Sequence, residues 1–245
     1  YRELRQSVID MATIFELRNT ENSVRTEESA APLAVSEGVI KFTDVHFGYN
    51  RSREILKGVD LDIPGGSKVA LVGSTGCGKS STLRLLFRFY DPWEGKITID
   101  GQDISKVNIE SLRSNIGVVP QDVVLFNDDI FYNIKYGNPK ASDEEVYAAA
   151  EAARIHEQIL RMPQGYQTMV GERGLKLSGG EKQRLAIARL ILKRPRIVVF
   201  DEATSSLDMQ TEREIMSSLS EVTEGCTTIM VAHRLETVMD ADKIV

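Results

Sequence analysis

The run Gly73-Ser74-Thr75-Gly76-Cys77-Gly78-Lys79-Ser80 constrains this chain more than any other. Before it lies the short apolar segment Lys68-Val69-Ala70-Leu71-Val72, which has the look of a buried parallel strand. After it, residues 81–89 show helical spacing. Strand, glycine-rich loop and helix form the context in which the pattern G-x-x-x-x-G-K-[ST] has a mechanism. Glycines let the backbone adopt conformations closed to other residues and come close to phosphate. The loop amides, at the positive end of a helix, form a nest for anionic oxygens. Lys79 is then expected to reach the β- and γ-phosphates of a nucleoside triphosphate, and Ser80 to place its hydroxyl on Mg²⁺. The plain alternative is a glycine-rich turn with a surface lysine. The flanking strand and helix weigh against it.

A second segment adds chemistry. Ile197-Val198-Val199-Phe200-Asp201-Glu202 is an apolar strand ending in two acids. Ligands sit at the strand ends of parallel sheets. There Asp201 can hold the Mg²⁺ that bridges the phosphates, and Glu202 can polarise the attacking water as general base. A pair of solvated acids at a helix start is the alternative, since negative charge is favoured there too.

The rest of the chain fits an α/β fold with a mostly parallel sheet. Residues 39–47 and 55–63 are strand-like, and 96–104 suggest a hairpin. Residues 143–161 predict a helix, and a further helix is expected from about Ser178 to before Pro195. Residues 227–231 make another buried strand. Residues 3–18 predict an amphipathic helix, either packed on the domain or connected to something upstream. Residues 19–37, polar and acidic, predict a linker.

Composition removes other classes. Lys plus Arg is 30 and Asp plus Glu is 36, a net charge of −6, so a general nucleic-acid binder is disfavoured. The two cysteines, Cys77 and Cys226, make neither a disulfide framework nor a metal cluster. No apolar run is long enough to span a bilayer. The chain does not begin with Met, and Asp242-Lys243-Ile244-Val245 resembles the opening of a strand. It is expected to be a piece of a longer protein.

Leu177-Ser178-Gly179-Gly180-Glu181-Lys182-Gln183 resembles the signature of ATP-binding cassette (ABC) proteins. Other elements of that family lie in order. Tyr49, in Phe47-Gly48-Tyr49, matches the aromatic that stacks on adenine. Gln121, in Val118-Val119-Pro120-Gln121-Asp122, matches the Q-loop glutamine. Ser206-Leu207-Asp208 matches the D-loop, and His233, in Val231-Ala232-His233-Arg234, the switch histidine. The resemblance covers about residues 38–245.

It implies a RecA-like P-loop NTPase core with an antiparallel β subdomain and an inserted α-helical subdomain. The core lobe would be 38–121 and 190–245, and the helical, signature-bearing subdomain 122–189. It implies ATP and Mg²⁺ as ligands, contacted by Tyr49, by Gly73, Ser74, Thr75, Gly76, Cys77, Gly78, Lys79, Ser80 and Ser81, and from a second domain by Ser178, Gly179, Gly180, Glu181 and Asp208. Ser80, Gln121 and Asp201 would hold the metal. Glu202, His233 and Gln121 would be catalytic, with Gln121 the hinge between lobes. Two such domains would meet head to tail around two ATP molecules. Glu181 stands where the family more often has Gln, a substitution common among exporters.

Val170-Gly171-Glu172-Arg173-Gly174 resembles the X-loop of exporter-type transporters, which touches the membrane domain. Leu86-Phe87-Arg88-Phe89-Tyr90-Asp91 and Tyr132-Asn133-Ile134-Lys135-Tyr136-Gly137 look like the mitochondrial and heavy-metal-tolerance half-transporters of subfamily B. Residues 1–18 would then end the cytosolic extension of the last transmembrane helix. That group is linked to export of glutathione-related or sulfur compounds and to metal homeostasis. The nucleotide domain would face the cytosol or the mitochondrial matrix, at the mitochondrial inner membrane. The competing readings are a soluble ABC ATPase acting on ribosomes or DNA, and an ATP-gated dimerisation module. Cys77 places a thiol inside the phosphate loop, and its alkylation is expected to block nucleotide binding.

Overall fold

Alternation along the central strands decides the layering. The computed structural model describes residues 2–18, 24, 29–172, 174–201, 223–231 and 241–245. In chain order, helix α1 (Arg2–Arg18) precedes strands β1 (Ile40–Phe47), β2 (Leu56–Ile63) and β3 (Lys68–Leu71). Helix α2 (Lys79–Leu86), strands β4 (Glu94–Ile99) and β5 (Gln102–Asp103), helix α3 (Ile109–Asn115) and strand β6 (Ile116–Val119) follow. Then come helices α4 (Ile130–Lys135), α5 (Asp143–Ala152), α6 (His156–Leu160) and α7 (Gly179–Lys193). Strands β7 (Ile197–Asp201), β8 (Thr227–Val231) and β9 (Lys243–Ile244) complete the described strands and α-helices.

The strands make two sheets. One is antiparallel, ordered β2-β1-β4-β5, and the other is parallel, ordered β6-β7-β8-β3-β9. Successive side chains of a strand point to opposite faces. Ile197 and Val199 of β7 therefore join the core shared with the antiparallel sheet, α2 and α3, while Val198 and Phe200 join the core under the helices. In β8, Ile229 and Val231 divide from Met230 in the same way. A sheet buried on both faces favours unbroken apolar runs, supplied here by residues 197–200 of β7 and 229–231 of β8, with the buried Thr227 and Thr228 opening β8.

One predicted helix is broken, and another has the span expected of it. The helix expected over 143–161 is broken into α5 and α6. Arg154 takes a left-handed conformation (φ 55°) between them, and the fully buried Ile155 follows. The turn carries that isoleucine into the core, which a continuous helix would not do. Helix α7 runs on to Lys193 and ends at a left-handed Arg194 before Pro195. The boundary drawn at 189/190 thus falls inside one helix.

The polar stretch before β1 is pinned where it is described. The Asp100 carboxylate accepts backbone N–H groups from Ser36, Glu37, Gly38 and Val39 at 2.8–3.2 Å. The Leu33 amide donates to Ser111 Oγ at 2.8 Å, and the Leu33 side chain is buried. In α1, by contrast, Val8, Met11 and Phe15 are all at least half exposed. These described members of its apolar stripe are open.

Candidate nucleotide site

Every pairing in the larger sheet is parallel, so all its strands end on one edge. Strand β3 runs out there into residues 73–80, β6 into Pro120 and Gln121, and β7 ends at Asp201. Register ties these ends together. Asp201 pairs with Val231, and Val231 with Leu71. The P-loop, Gln121 and Asp201 are thus brought to the same edge by topology alone. Glu202, Asp208 and His233 lie outside the described residues.

Gly76 (φ 87°) and Gly78 (φ 110°) take backbone conformations that side chains rarely adopt. At Gly78 a Cβ would also sit 2.7 Å from Leu56 Cδ2. Helix α2 starts directly from Gly78, which has no side chain with which to cap the first turn, and that turn contains no acid. The Lys79 ammonium donates to the carbonyls of Gly73 (2.7 Å) and Ser74 (3.2 Å), spanning the start of the loop. Residues 74–77 and Ser80 are exposed. Ser80, Gln121 and Asp201 bring a serine hydroxyl, an amide oxygen and a carboxylate to this edge. These are hard donors, few in number, which suits Mg²⁺ held largely through phosphate oxygens. No cluster of three or more His, Cys, Asp or Glu residues able to cage a metal exists among the described residues.

Tyr49 stands beside this loop. Its hydroxyl accepts from Arg84 Nη1 at 2.8 Å and lies 3.2 Å from Ser81 Oγ. Its ring meets Phe47 and Tyr90 edge-on at 5.2 and 5.3 Å, and the residue remains 43% exposed. An aromatic held by its rim and its hydroxyl, yet open, is able to offer a face to a planar base.

The signature sits apart, at the start of α7. Ser178 and Glu181 form a reciprocal capping box. The Ser178 amide and hydroxyl donate to Glu181 Oε2 at 2.7 and 2.8 Å, and the Glu181 amide donates back to Ser178 Oγ at 3.3 Å. Further along α7, the Arg189 guanidinium donates to Asn133 O, Asn133 Oδ1 and Val124 O at 2.6–3.0 Å. Asn133, fully buried, in turn bonds both backbone groups of Phe126. Burial pushes the pKa of Arg189 and of Lys193 down from their ordinary values. Lys193 and Arg189, with Val118, Val123 and Tyr136, line a groove of about 480 Å³ beside the Q-loop. The X-loop packs next to this segment, with the Val170 amide donating to Asp128 O at 2.9 Å. Arg173 lies outside the described residues.

Sequence reasoning missed Asn133, Arg189 and Gln183. The available signal was polar residues interrupting an otherwise apolar helix face. Gln183 is 3% exposed, and its Nε2 donates to the carbonyls of Pro120 (3.3 Å) and Gln121 (3.2 Å).

Fold and site together define a P-loop nucleotide-binding α/β domain with a helical segment inserted between two strands of its parallel sheet. The family model for ABC transporters matches residues 56–205, and the chain belongs to that family, whose domains bind ATP. It is 56% identical, over its whole length, to the ATM1-type heavy metal exporter of Novosphingobium aromaticivorans and covers 40% of that protein. It is 55% identical, again over its whole length, to the mitochondrial iron-sulfur clusters transporter ABCB7 of Oryzias latipes and covers 33% of it. A solved bacterial Atm1-family ABC exporter with ATP bound matches all of the chain with a TM-score of 0.93 at 56% identity, the chain covering 43% of it. The chain thus spans between a third and less than half the length of these relatives. Among the described residues no helix is long and apolar enough to cross a membrane.

Proposed function

We propose that this chain is the ATP-hydrolysing engine of a membrane exporter, working as a head-to-tail pair around two ATP molecules. The observation that carries the reading is the convergence of the P-loop, Gln121 and Asp201 on one edge of the parallel sheet. Tyr49 stacks on adenine. Loop amides of residues 73–78 and Lys79 grip the phosphates, with Ser81 beside them. Ser80, Gln121 and Asp201 would hold Mg²⁺, which would supply positive charge to offset that of the phosphates. Glu202 takes the proton of the attacking water, and His233 holds that water from the γ-phosphate side. Ser178, Gly179, Gly180 and Glu181, with Asp208, face the nucleotide of the partner domain.

The second domain is an identical copy, and the membrane domain belongs to the same full-length chain. The groove beside Gln121 and the adjoining X-loop pass closure to it. The bacterial relative is named a heavy metal exporter and the Oryzias latipes relative a mitochondrial iron-sulfur clusters transporter. For this chain the corresponding cargo is a glutathione- or sulfur-related compound or metal conjugate, and the place the mitochondrial inner membrane. Nucleic acid is not a partner on this reading.

The test is Glu202→Gln in the full-length protein. ATP binding is expected to stay intact while turnover falls at least about a hundredfold. Hydrolysis at the wild-type rate would place the base elsewhere.

A further inference from the structure

Gln183 links the two halves of the proposed site. It lies in the second turn of α7, whose N-terminus carries Ser178, and it reaches the point where β6 becomes the Q-loop. Its side chain is buried, and both nearby groups, Pro120 O and Gln121 O, are carbonyl acceptors. Chemistry therefore fixes the amide: the NH₂ faces the two carbonyls and the oxygen points away. Among the described residues that buried Oε1 has no hydrogen-bond partner. Polar groups removed from water normally pair, and among the described residues it is the donor side of this amide that does so. The arrangement holds the Q-loop backbone without saturating the side chain that holds it.

The remainder of α7 suits a lever. Its start is locked by the Ser178–Glu181 capping box. Its end is fixed by Lys193 Nζ, which donates to Arg113 O and Ile116 O at 2.8 and 2.7 Å. Between them Gln183 grips the other end of β6. Strand β6 is thus held by α7 at both of its ends, and a shift of Gln121 acts on α7 near the signature, not near its anchor.

We propose that Gln183 is a positioning residue that couples the Q-loop to the signature: it sets Ser178 through the backbone of Gln121. The inference rests on the reading that Gln121 responds to bound nucleotide. Gln183 touches no substrate. Its role is to make the state of one nucleotide site felt at the signature presented to the other.

The experiment uses the full-length protein in lipid nanodiscs. Gln183→Met keeps length and volume and removes the donor together with the unpaired acceptor, so the thermal midpoint should hold. The expected result is a kcat lowered about tenfold with the KM for ATP within about twofold of wild type. In a Gln121→Ala background the same change should cost nothing further, because residues acting as one unit are not additive. Additive losses would overturn the proposal. So would wild-type kcat in Gln183→Met, or a kcat loss that comes with a raised KM and a lowered midpoint. Should Gln183→Met not fold, Gln183→Glu, of the same shape but without the donor when ionised, is scored by the same criteria. If Gln121→Ala alone turns over normally, the reading of the Q-loop fails and the coupling with it. If Gln121→Ala is slow and Gln183→Met is not, the coupling alone fails.

Discussion

Two helices in this chain begin at loops of glycine and serine, and they satisfy their first turns in opposite ways. Helix α2 starts from a left-handed Gly78 and has no acid in its first turn. Helix α7 starts from Ser178 and folds its own Glu181 carboxylate onto the Ser178 amide and hydroxyl. Both ends carry the positive pole of a helix. Only the first leaves that pole to a ligand. The second already holds an anion, its own. On the function proposed above, an incoming phosphate would have to share donors with Glu181 or displace it. On that same reading, the P-loop binds nucleotide within one domain and the signature responds when a partner delivers it.

The comparison can be broken by removing the defining group from each end. Lys79→Ala should weaken ATP binding by about tenfold to a hundredfold, the loss of one or two charge-assisted hydrogen bonds. Ser178→Ala should leave ATP binding within about twofold and reduce turnover about tenfold. Equal loss of binding in both variants, measured by equilibrium titration, would mean that the two ends do not differ in kind. Alkylating the exposed Cys77 with a maleimide should block nucleotide binding, and ATP should protect the thiol. Equal labelling with and without ATP, mapped by mass spectrometry, would remove Cys77 from the site. Glu181→Gln keeps a capping side chain but discharges it. Half-saturating ATP for turnover should fall about two- to fivefold, less at high salt, because one charge near a helix end is worth about 0.3–1 kcal/mol. No change would show that the carboxylate does not compete with phosphate.

The smallest effect on chemistry is expected far from both ends. Burial pushes the Asp100 carboxyl upward, but the N–H groups of Gly38, Val39 and Ser36 outweigh it and hold its pKa below the ordinary value. Such a group stabilises the fold when ionised and loses that contribution as pH falls through its depressed pKa. Asp100→Asn should therefore lower the melting temperature at pH 7 and lower it less in acid, with ATP binding unchanged. A constant gap across the acid range would assign the effect to packing.

Much of the site was legible because its parts are contiguous. The P-loop, the strand ending at Asp201 and the Ser178 signature each announce themselves within a few residues. What escaped were single polar side chains whose meaning depends on residues far along the chain. Asn133 looks like any helical asparagine until Phe126 and Arg189 are placed on either side of it. Gln183 resembles a surface glutamine of an amphipathic helix until burial puts it against Gln121. The break between α5 and α6 escaped because residues 143–161 have helical composition throughout, and the demand to bury Ile155 comes from the core.

Local chemistry, then, is what the sequence determined by itself: where a glycine loop joins a buried strand to a helix, which strands are buried on both faces, and to which family the order of motifs belongs. Backbone conformation at a glycine loop and capping at a serine are decided within a few residues, so they can be read in one dimension. Tertiary structure decided which motifs share an edge and which buried amide joins them. Parallel pairing brought Leu71, Val231 and Asp201 level from positions far apart in the chain. Burial then converted an ordinary glutamine into a link, because a donor removed from water must bond whatever carbonyl the fold puts beside it.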